Sequence, residues 1–190
     1  MGLSIYEKNV LIDLARSAVK GFMEKGLQDD LAVDAGSISQ SLTEKRGVFV
    51  AIYRGSELRG CMGNVLAAMP IWLSCMENAR NAAYKDPRFT PLHINELGSM
   101  SFEITIIDTP RPLSEISELQ AGIHGIILTK GFRKEVFLPG LLEDVPHNTG
   151  EFFANLKAKA DMNDDDHDAP EMWEIFHAEV ISERVKDFRP

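Results

Sequence analysis

The stretch Gly47-Val48-Phe49-Val50-Ala51-Ile52-Tyr53-Arg54 constrains the fold more than any other, because it reads as a strand that is apolar on both faces. Val48, Val50 and Ile52 alternate with Phe49, Ala51 and Tyr53, and residues two apart in a strand share a face. Such a strand needs cover on both sides. Gly55-Ser56 turns the chain, and Glu57-Leu58-Arg59 returns beside it as a second strand that runs into Gly60-Cys61-Met62-Gly63. This reading sets Cys61 at a strand end, where a rigid sheet can hold a mobile loop in register. It also puts Arg59 and Cys61 on one side, with Leu58 and Met62 on the other, so that the guanidinium would favour the thiolate. Gly60 and Gly63 permit backbone angles that other residues avoid and allow another segment or a ligand to come close.

The flanking chain supplies helices to cover such a sheet. Ser4 and Glu7 have capping-box spacing ahead of a row Leu11, Leu14, Ala18 and Phe22, with Gly26 as the predicted stop. From Gln28 to Arg46 the periodicity breaks around Asp29, Asp30, Asp34, Gly36 and Ser37, which predicts a connection. Pro70 opens a second helix with Trp72, Met76, Ala79 and Ala83 in one row and Cys75 beside it as a buried thiol. Asn78, Arg80, Asn81 and Tyr84 give that helix a more polar side. Asp86-Pro87-Arg88-Phe89 ends it, and the pairing of Asp86 with Arg88 is favoured over a shared cleft with Arg59.

Ser99 to Ile107 alternates cleanly, with Phe102, Ile104 and Ile106 predicted inward and Ser101, Glu103 and Thr105 on the opposite face. Glu103 is thereby held on a strand, where it could pair with Arg59, carry a proton or remain solvated. Asp108-Thr109-Pro110-Arg111-Pro112 breaks the strand, and Leu113 to Gln120 reads as a short helix. Gly122-Ile123-His124-Gly125 leads into a buried strand, Ile126 to Thr129, whose hairpin mate after Gly131 is Arg133 to Pro139. Gly140 and Pro146 punctuate the way to a helix near Thr149 carrying Phe152, Phe153, Leu156 and Ala160. Trp173 to Glu183 is predicted as the last strand, with Phe176, Ala178 and Val180 alternating against Glu174 and Ser182. Strands outnumber helices and follow one another through short turns, so the predicted class is α+β: an antiparallel or mixed sheet packed by helices, with a main domain and a smaller lobe.

Charge narrows the partners. With 29 acidic residues against 20 Lys and Arg, the formal charge of -9 disfavours broad contact with nucleic acid or anionic membrane. The 190 residues, 44% of them hydrophobic, suffice for one substantial core. Two cysteines make no disulfide framework, so a reducing compartment is expected. Glu7, Lys8, Asp13 and Arg16 interrupt the N-terminal apolar residues, and no run is long enough to span a bilayer, so the expected location is cytoplasmic. No Cys-x-x-Cys repeat suggests zinc or an iron–sulfur cluster. The tract Asp161 to Asp168 lacks the glycine and closing glutamate of a calcium loop and reads as a solvent-facing turn. No metal or cofactor is therefore expected.

Set beside Gly47-Val48-Phe49-Val50, the run Leu58-Arg59-Gly60-Cys61-Met62-Gly63 resembles the AMMECR family. Its prokaryotic members are called AmmeMemoRadiSam system protein A, after their association with a Memo-like protein and a radical S-adenosylmethionine protein. The resemblance continues through Glu77-Asn78-Ala79-Arg80, Asp86-Pro87-Arg88-Phe89, Phe102-Glu103-Ile104, Gly125-Ile126-Ile127-Leu128 and Phe137-Leu138-Pro139, and so covers nearly the whole chain. The hallmark positions fall on Leu58, Arg59, Gly60, Cys61 and Gly63, with Met62 where isoleucine is more usual. The resemblance implies a single domain of this type over residues 1–190, its larger lobe built from both chain ends around an antiparallel sheet and a smaller lobe within it. It implies a Memo-like protein and a radical S-adenosylmethionine protein as partners, with any radical chemistry residing in them.

Two functional readings follow. In the first the chain is a binding or regulatory module: Arg59 holds a carboxylate such as Glu103, Cys61 packs behind it, and a small anion or an acidic side chain of a partner docks near Gly60, Gly63, Asn78, Arg88 and His124. In the second it is a thiol-dependent enzyme or enzyme subunit. There Cys61 is the nucleophile, Arg59 stabilises its thiolate or an anionic substrate, Glu103 moves a proton, and His124 approaches in space.

Overall fold

The computed structural model of the chain describes residues 2–25, 33, 38–142, 149–162 and 170–184. Gly26, Pro146, residues 28–32 and 34–37 of the predicted connection and the acidic tract from 163 to 168 lie outside the described residues. The fold is α+β, with an antiparallel sheet packed against helices, and the chain divides into two compact units. The first comprises the chain up to Ile107 together with the segment from Glu179; the second runs from Asp108 to Ala178.

The first unit begins with α1 (Ile5–Lys25), followed by the short α2 (Gln40–Thr43). The capping box forms as expected: Ser4 N and Oγ donate to Glu7 Oε2 at 2.8 and 2.7 Å, and Glu7 N donates to Ser4 Oγ at 3.3 Å. The buried stripe of α1 is Leu11, Ile12, Ala15, Ala18 and Val19; Leu14 and Phe22, predicted in that row, are only partly buried. Strand β1 (Gly47–Arg54) occupies the predicted residues and lies between β2 (Glu57–Asn64) and β3 (Met100–Ile107), antiparallel to both. Gly55 takes a φ of +60° in the Gly55-Ser56 turn, a conformation glycine adopts without strain.

Between β2 and β3 in the chain, α3 (Ile71–Tyr84) packs Ile71, Cys75, Ala79, Ala82 and Ala83 against Val48, Val50, Ile52, Phe102, Ile104 and Ile106. Each fully buried large side chain of this set contributes about 1.5–3 kcal/mol relative to exposure. The predicted inward set on β3 is correct, and Cys75 is fully buried. Trp72, predicted in the buried row of α3, is only partly buried, and Ile71 takes its place.

In the second unit, β5 (His124–Lys130) lies between β6 (Arg133–Phe137) and the first half of β7 (Glu171–Ser182). The break at Asp108 to Pro112 is shorter than predicted, since Arg111–Pro112 forms β4 against Ile175 and Glu174. Leu113 to Gln120 holds only a 3-10 turn over Ile116–Glu118 instead of a helix. α4 (Thr149–Lys159) buries Phe152 and Leu156, which with Ala160 pack against Ile126, Leu128, Phe137 and Ile175. β7 crosses from the second unit into the first, and its alternation breaks: Phe176 and Ala178 are buried as predicted, but Val180 is 37% exposed and Ile181 is buried instead.

Gly60 shows how tightly α3 rests on β2. A Cβ at this position would run into the carbonyl oxygen of Ala82, whereas one at Gly98 would meet nothing. Gly60→Ala is therefore expected to lower stability by ~1–3 kcal/mol and Gly98→Ala to stay within about 0.5 kcal/mol of wild type, as read by urea denaturation.

Candidate functional site

The hairpin register decides which side chains meet. Arg54 pairs with Glu57 and Tyr53 with Leu58, but Ile52 then pairs with Gly60, so Arg59 is an extra residue in a β-bulge. Without the bulge Arg59 would stand opposite Ile52, which is fully buried in the core, and an ion would be driven into an apolar layer. The bulge instead sets Gly60, Met62 and Asn64 opposite Ile52, Val50 and Val48. Met62 packs on the core beneath α3, and Leu58 comes into line with Tyr53.

Several expectations are corrected by this arrangement. Cys61 is not at a strand end but in the body of β2, paired with Ala51. Arg59 and Cys61 do not share the alternation, and Leu58 and Met62 are not on a common side. Arg59 lies 3.7 Å from Glu96 in the 3-10 turn Ile94–Ser99, and Arg54 reaches the same carboxylate oxygen. Glu103 is not paired with Arg59. The value of Gly60 is the close approach of α3, and at Gly63 a Cβ would strike the Phe49 ring.

A carboxylate and a guanidinium that are distant in sequence surround Cys61. Asp86 accepts the Cys61 backbone N–H at 2.8 Å, and Arg88 Nη2 donates to the Cys61 carbonyl at 3.5 Å. Arg88 is itself held by Asp86 through Nε at 2.9 Å, Nη2 at 2.8 Å and its backbone N–H at 3.1 Å. The expected Asp86–Arg88 pair thus exists, and it also blocks a sheet edge. β2 is an edge strand, and the pair satisfies the outward-facing N–H and C=O of Cys61. These bonds hold the Asp86 carboxyl down to about 2, the Arg88 hydrogen bond having the largest effect.

The thiol responds in the opposite direction from the sequence expectation. Burial pushes the Cys61 thiol up to about 11; Arg88 pulls it down, while Asp86 and Glu103 push it further up. Across the sheet, Cys61 aligns with Ala51 and Ala51 with Glu103, so thiol and carboxylate stand in one row. The hydroxyl of Tyr53, two residues from Ala51, is raised by burial and by the charge of Glu103. Arg184 lies over the Tyr53 ring with its guanidinium carbon 4.0 Å from the centroid. Tyr53, Asp86 and Arg184 are members of this cluster that sequence reasoning does not place in the site. The Asp-Pro-Arg turn is the one visible signal, since an aspartate before proline commonly binds its own backbone.

The remaining expected residues lie elsewhere. Asn78 is buried and donates from Nδ2 to the Val48 carbonyl at 3.0 Å and to Ser74 Oγ at 3.2 Å, which ties α3 to β1. His124 belongs to the second unit, where its Nδ1 accepts from Gln120 N at 3.1 Å and its ring meets that of His177. Burial, His177 and Arg111 lower its pKa. Among the described residues no group of three or more His, Cys, Asp or Glu is placed to hold a metal ion, and no helix is long and apolar enough to cross a membrane.

The AMMECR1 family model matches residues 12–181. The chain belongs to the AMMECR1 family. Protein MK0488 of Methanopyrus kandleri is 31% identical over 192 residues, covering 95% of this chain and 90% of that protein. Protein NEQ441 of Nanoarchaeum equitans is 35% identical over 135 residues, covering 66% of this chain and 75% of the other. The crystal structure of the uncharacterised protein PH0010 from Pyrococcus horikoshii superposes with a TM-score of 0.74 at 26% identity, covering 92% of this chain and 90% of that one. In this AMMECR1 chain, the run from Leu58 to Gly63 is the inner length of an edge strand whose outward backbone groups are met by Asp86 and Arg88.

A carboxyl whose folded pKa lies below its unfolded value stabilises the fold above the unfolded value and loses that contribution as pH falls through the folded one. For Asp86 the window runs from 3.8 down to about 2. Wild type is therefore expected to lose about 2 kcal/mol relative to Asp86→Asn between about pH 5 and pH 2, and parallel urea-stability curves for the two proteins would count against this role.

Proposed function

We propose that this AMMECR1 chain is a binding or regulatory module that works with Memo-like and radical S-adenosylmethionine proteins. The supporting observation is the state of Cys61. A thiol raised to about 11 is protonated at neutral pH, and the thiol, unlike the thiolate, is a poor nucleophile. Asp86 and Glu103 add to that effect, and Arg88, the one cation acting on Cys61, is already bound to Asp86. The thiol-dependent alternative needs a thiolate, which these surroundings oppose. The anion expected at Arg59 has a counterpart within the chain, the carboxylate of Glu96. In this reading Cys61 and Asp86 set the shape of a stable sheet face, and the reactive chemistry belongs to the partners.

Alkylation of Cys61 across pH tests the premise, with Cys61→Ala and Cys75→Ala assigning the signal. The rate is expected to climb about tenfold per pH unit from neutrality toward pH 10 without a plateau, and Arg59→Ala is expected to leave the profile unchanged. A plateau reached near neutrality would favour the enzyme. Mixing the chain with its Memo-like and radical-enzyme counterparts, each omitted in turn, tests the role itself. Cys61→Ala is expected to keep any association and any effect on their product, and loss of product with association intact would overturn the binding reading.

A further inference from the structure

The bulge in β2 leaves an ionic cluster whose charges do not cancel. Arg54 and Arg59 face the same oxygen of Glu96, so two guanidiniums share one carboxylate. The other oxygen of Glu96 accepts the His93 backbone N–H at 2.9 Å. That bond and the two arginines hold the Glu96 carboxyl below its ordinary value, so it is charged at neutral pH. Glu57 stands opposite Arg54 at the hairpin turn, yet among the described residues it makes no ion pair. Two positive charges set against one negative leave one in excess.

Arg59 holds that excess in a form suited to recognition. Its side chain is 12% exposed, so most of its rotamer freedom is already spent. Glu96 lies 3.7 Å away, beyond hydrogen-bond distance, and among the described residues Arg59 makes no hydrogen bond. A guanidinium carries N–H donors in a planar fork, and taking it out of water without partners is costly. None of the Arg59 nitrogens is sealed off from the surface, so these donors are open to an incoming acceptor. Arg54, at the end of β1, is 47% exposed, and the cluster opens outward there.

We propose that Arg59, with Arg54 beside it, receives the carboxylate side chain of an aspartate or glutamate on a partner protein. One excess positive charge matches a carboxylate, whereas a phosphate group brings about −1.5 to −2 at neutral pH. The arginine fork fits the two oxygens of a carboxylate. Ile94 opens the 3-10 turn that carries Glu96 and is exposed, which adds an apolar contact of the kind protein interfaces use beside a buried arginine. The proposal rests on the binding reading above and names the group that the module recognises.

The test is a titration of the full chain at low ionic strength, read by the arginine Nε–Hε signals in NMR. The probes are the blocked tripeptide N-acetyl-Gly-Glu-Gly-amide, its Gly-Gln-Gly counterpart, acetate and inorganic phosphate. Saturable shifts at Arg54 and Arg59 are expected with the glutamate peptide and none with the glutamine peptide. Affinity is expected to fall about tenfold in Arg59→Lys, which keeps the charge but loses the fork, and to rise about tenfold in Glu96→Gln, which removes the internal competitor. Gln at position 96 keeps an acceptor for the His93 N–H, and a cooperative thermal transition in each variant shows that it folds. Equal shifts with the glutamine peptide, no saturation by about 200 mM, equal affinity in Arg59→Lys, weaker binding in Glu96→Gln, or tighter binding of acetate or phosphate would overturn the proposal. Association with the Memo-like or radical-enzyme counterpart that survives in Arg59→Gln would show that this inference fails while the binding reading stands. Peptide binding without association to either counterpart would show the reverse.

Discussion

The bond from the Cys61 N–H to the Asp86 carboxylate is the constraint on which the rest of the site depends. An edge strand presents backbone donors and acceptors that another chain can pair with, and folded proteins cover or block them. Here one buried side chain, only 4% exposed, takes the donor, and the arginine it holds approaches the acceptor. A hydrogen bond to a charged group contributes roughly 1.5–3 kcal/mol. It acts between the turn that ends α3 and the middle of β2, where Gly60 already lets the Ala82 backbone settle on the strand. Packing and hydrogen bonding thus fix the same register.

That register sorts the charges. The bulge removes Arg59 from the row of Cys61 and delivers it to Glu96, where Arg54 joins it. Cys61 is left with a bound arginine, two carboxylates and a partly desolvated thiol, and desolvation outweighs the cation. The same face carries Glu103 without an ion partner among the described residues. One extra residue in β2 therefore separates Arg59, which shares the Glu96 carboxylate with Arg54, from the row of Cys61 and Glu103. These surroundings keep Cys61 as a thiol and oppose the thiolate.

Much of the scaffold is legible in the sequence because its patterns are strong. β1, β3 and α4 follow from alternation or helical spacing, and the capping box at Ser4 and Glu7 marks the start of α1 within a residue. β4 escapes because two residues leave no periodicity to read. The bulge escapes for a different reason. Positions 59 and 61 are two apart, so alternation alone places them together. The conflict shows only when the strand is counted back from Gly55-Ser56 against the buried face of β1, where an arginine would oppose Ile52. Asp86 and Cys61 are 25 residues apart, and their meeting depends on how α3 lies across the sheet, which no local pattern encodes. Asn78 can be seen as a polar residue on a helix, but its buried bond to the Val48 carbonyl cannot.

Hydrogen exchange at two adjacent amides of β2 tests the central claim most directly. Cys61 N–H is held by Asp86, while Met62 lies in the β1 ladder opposite Val50. The account predicts that Cys61 is protected in wild type and exchanges about 10–100-fold faster in Asp86→Ala, with Met62 changed far less. Equal acceleration at both amides, or an unprotected Cys61 in the wild-type chain, would contradict it.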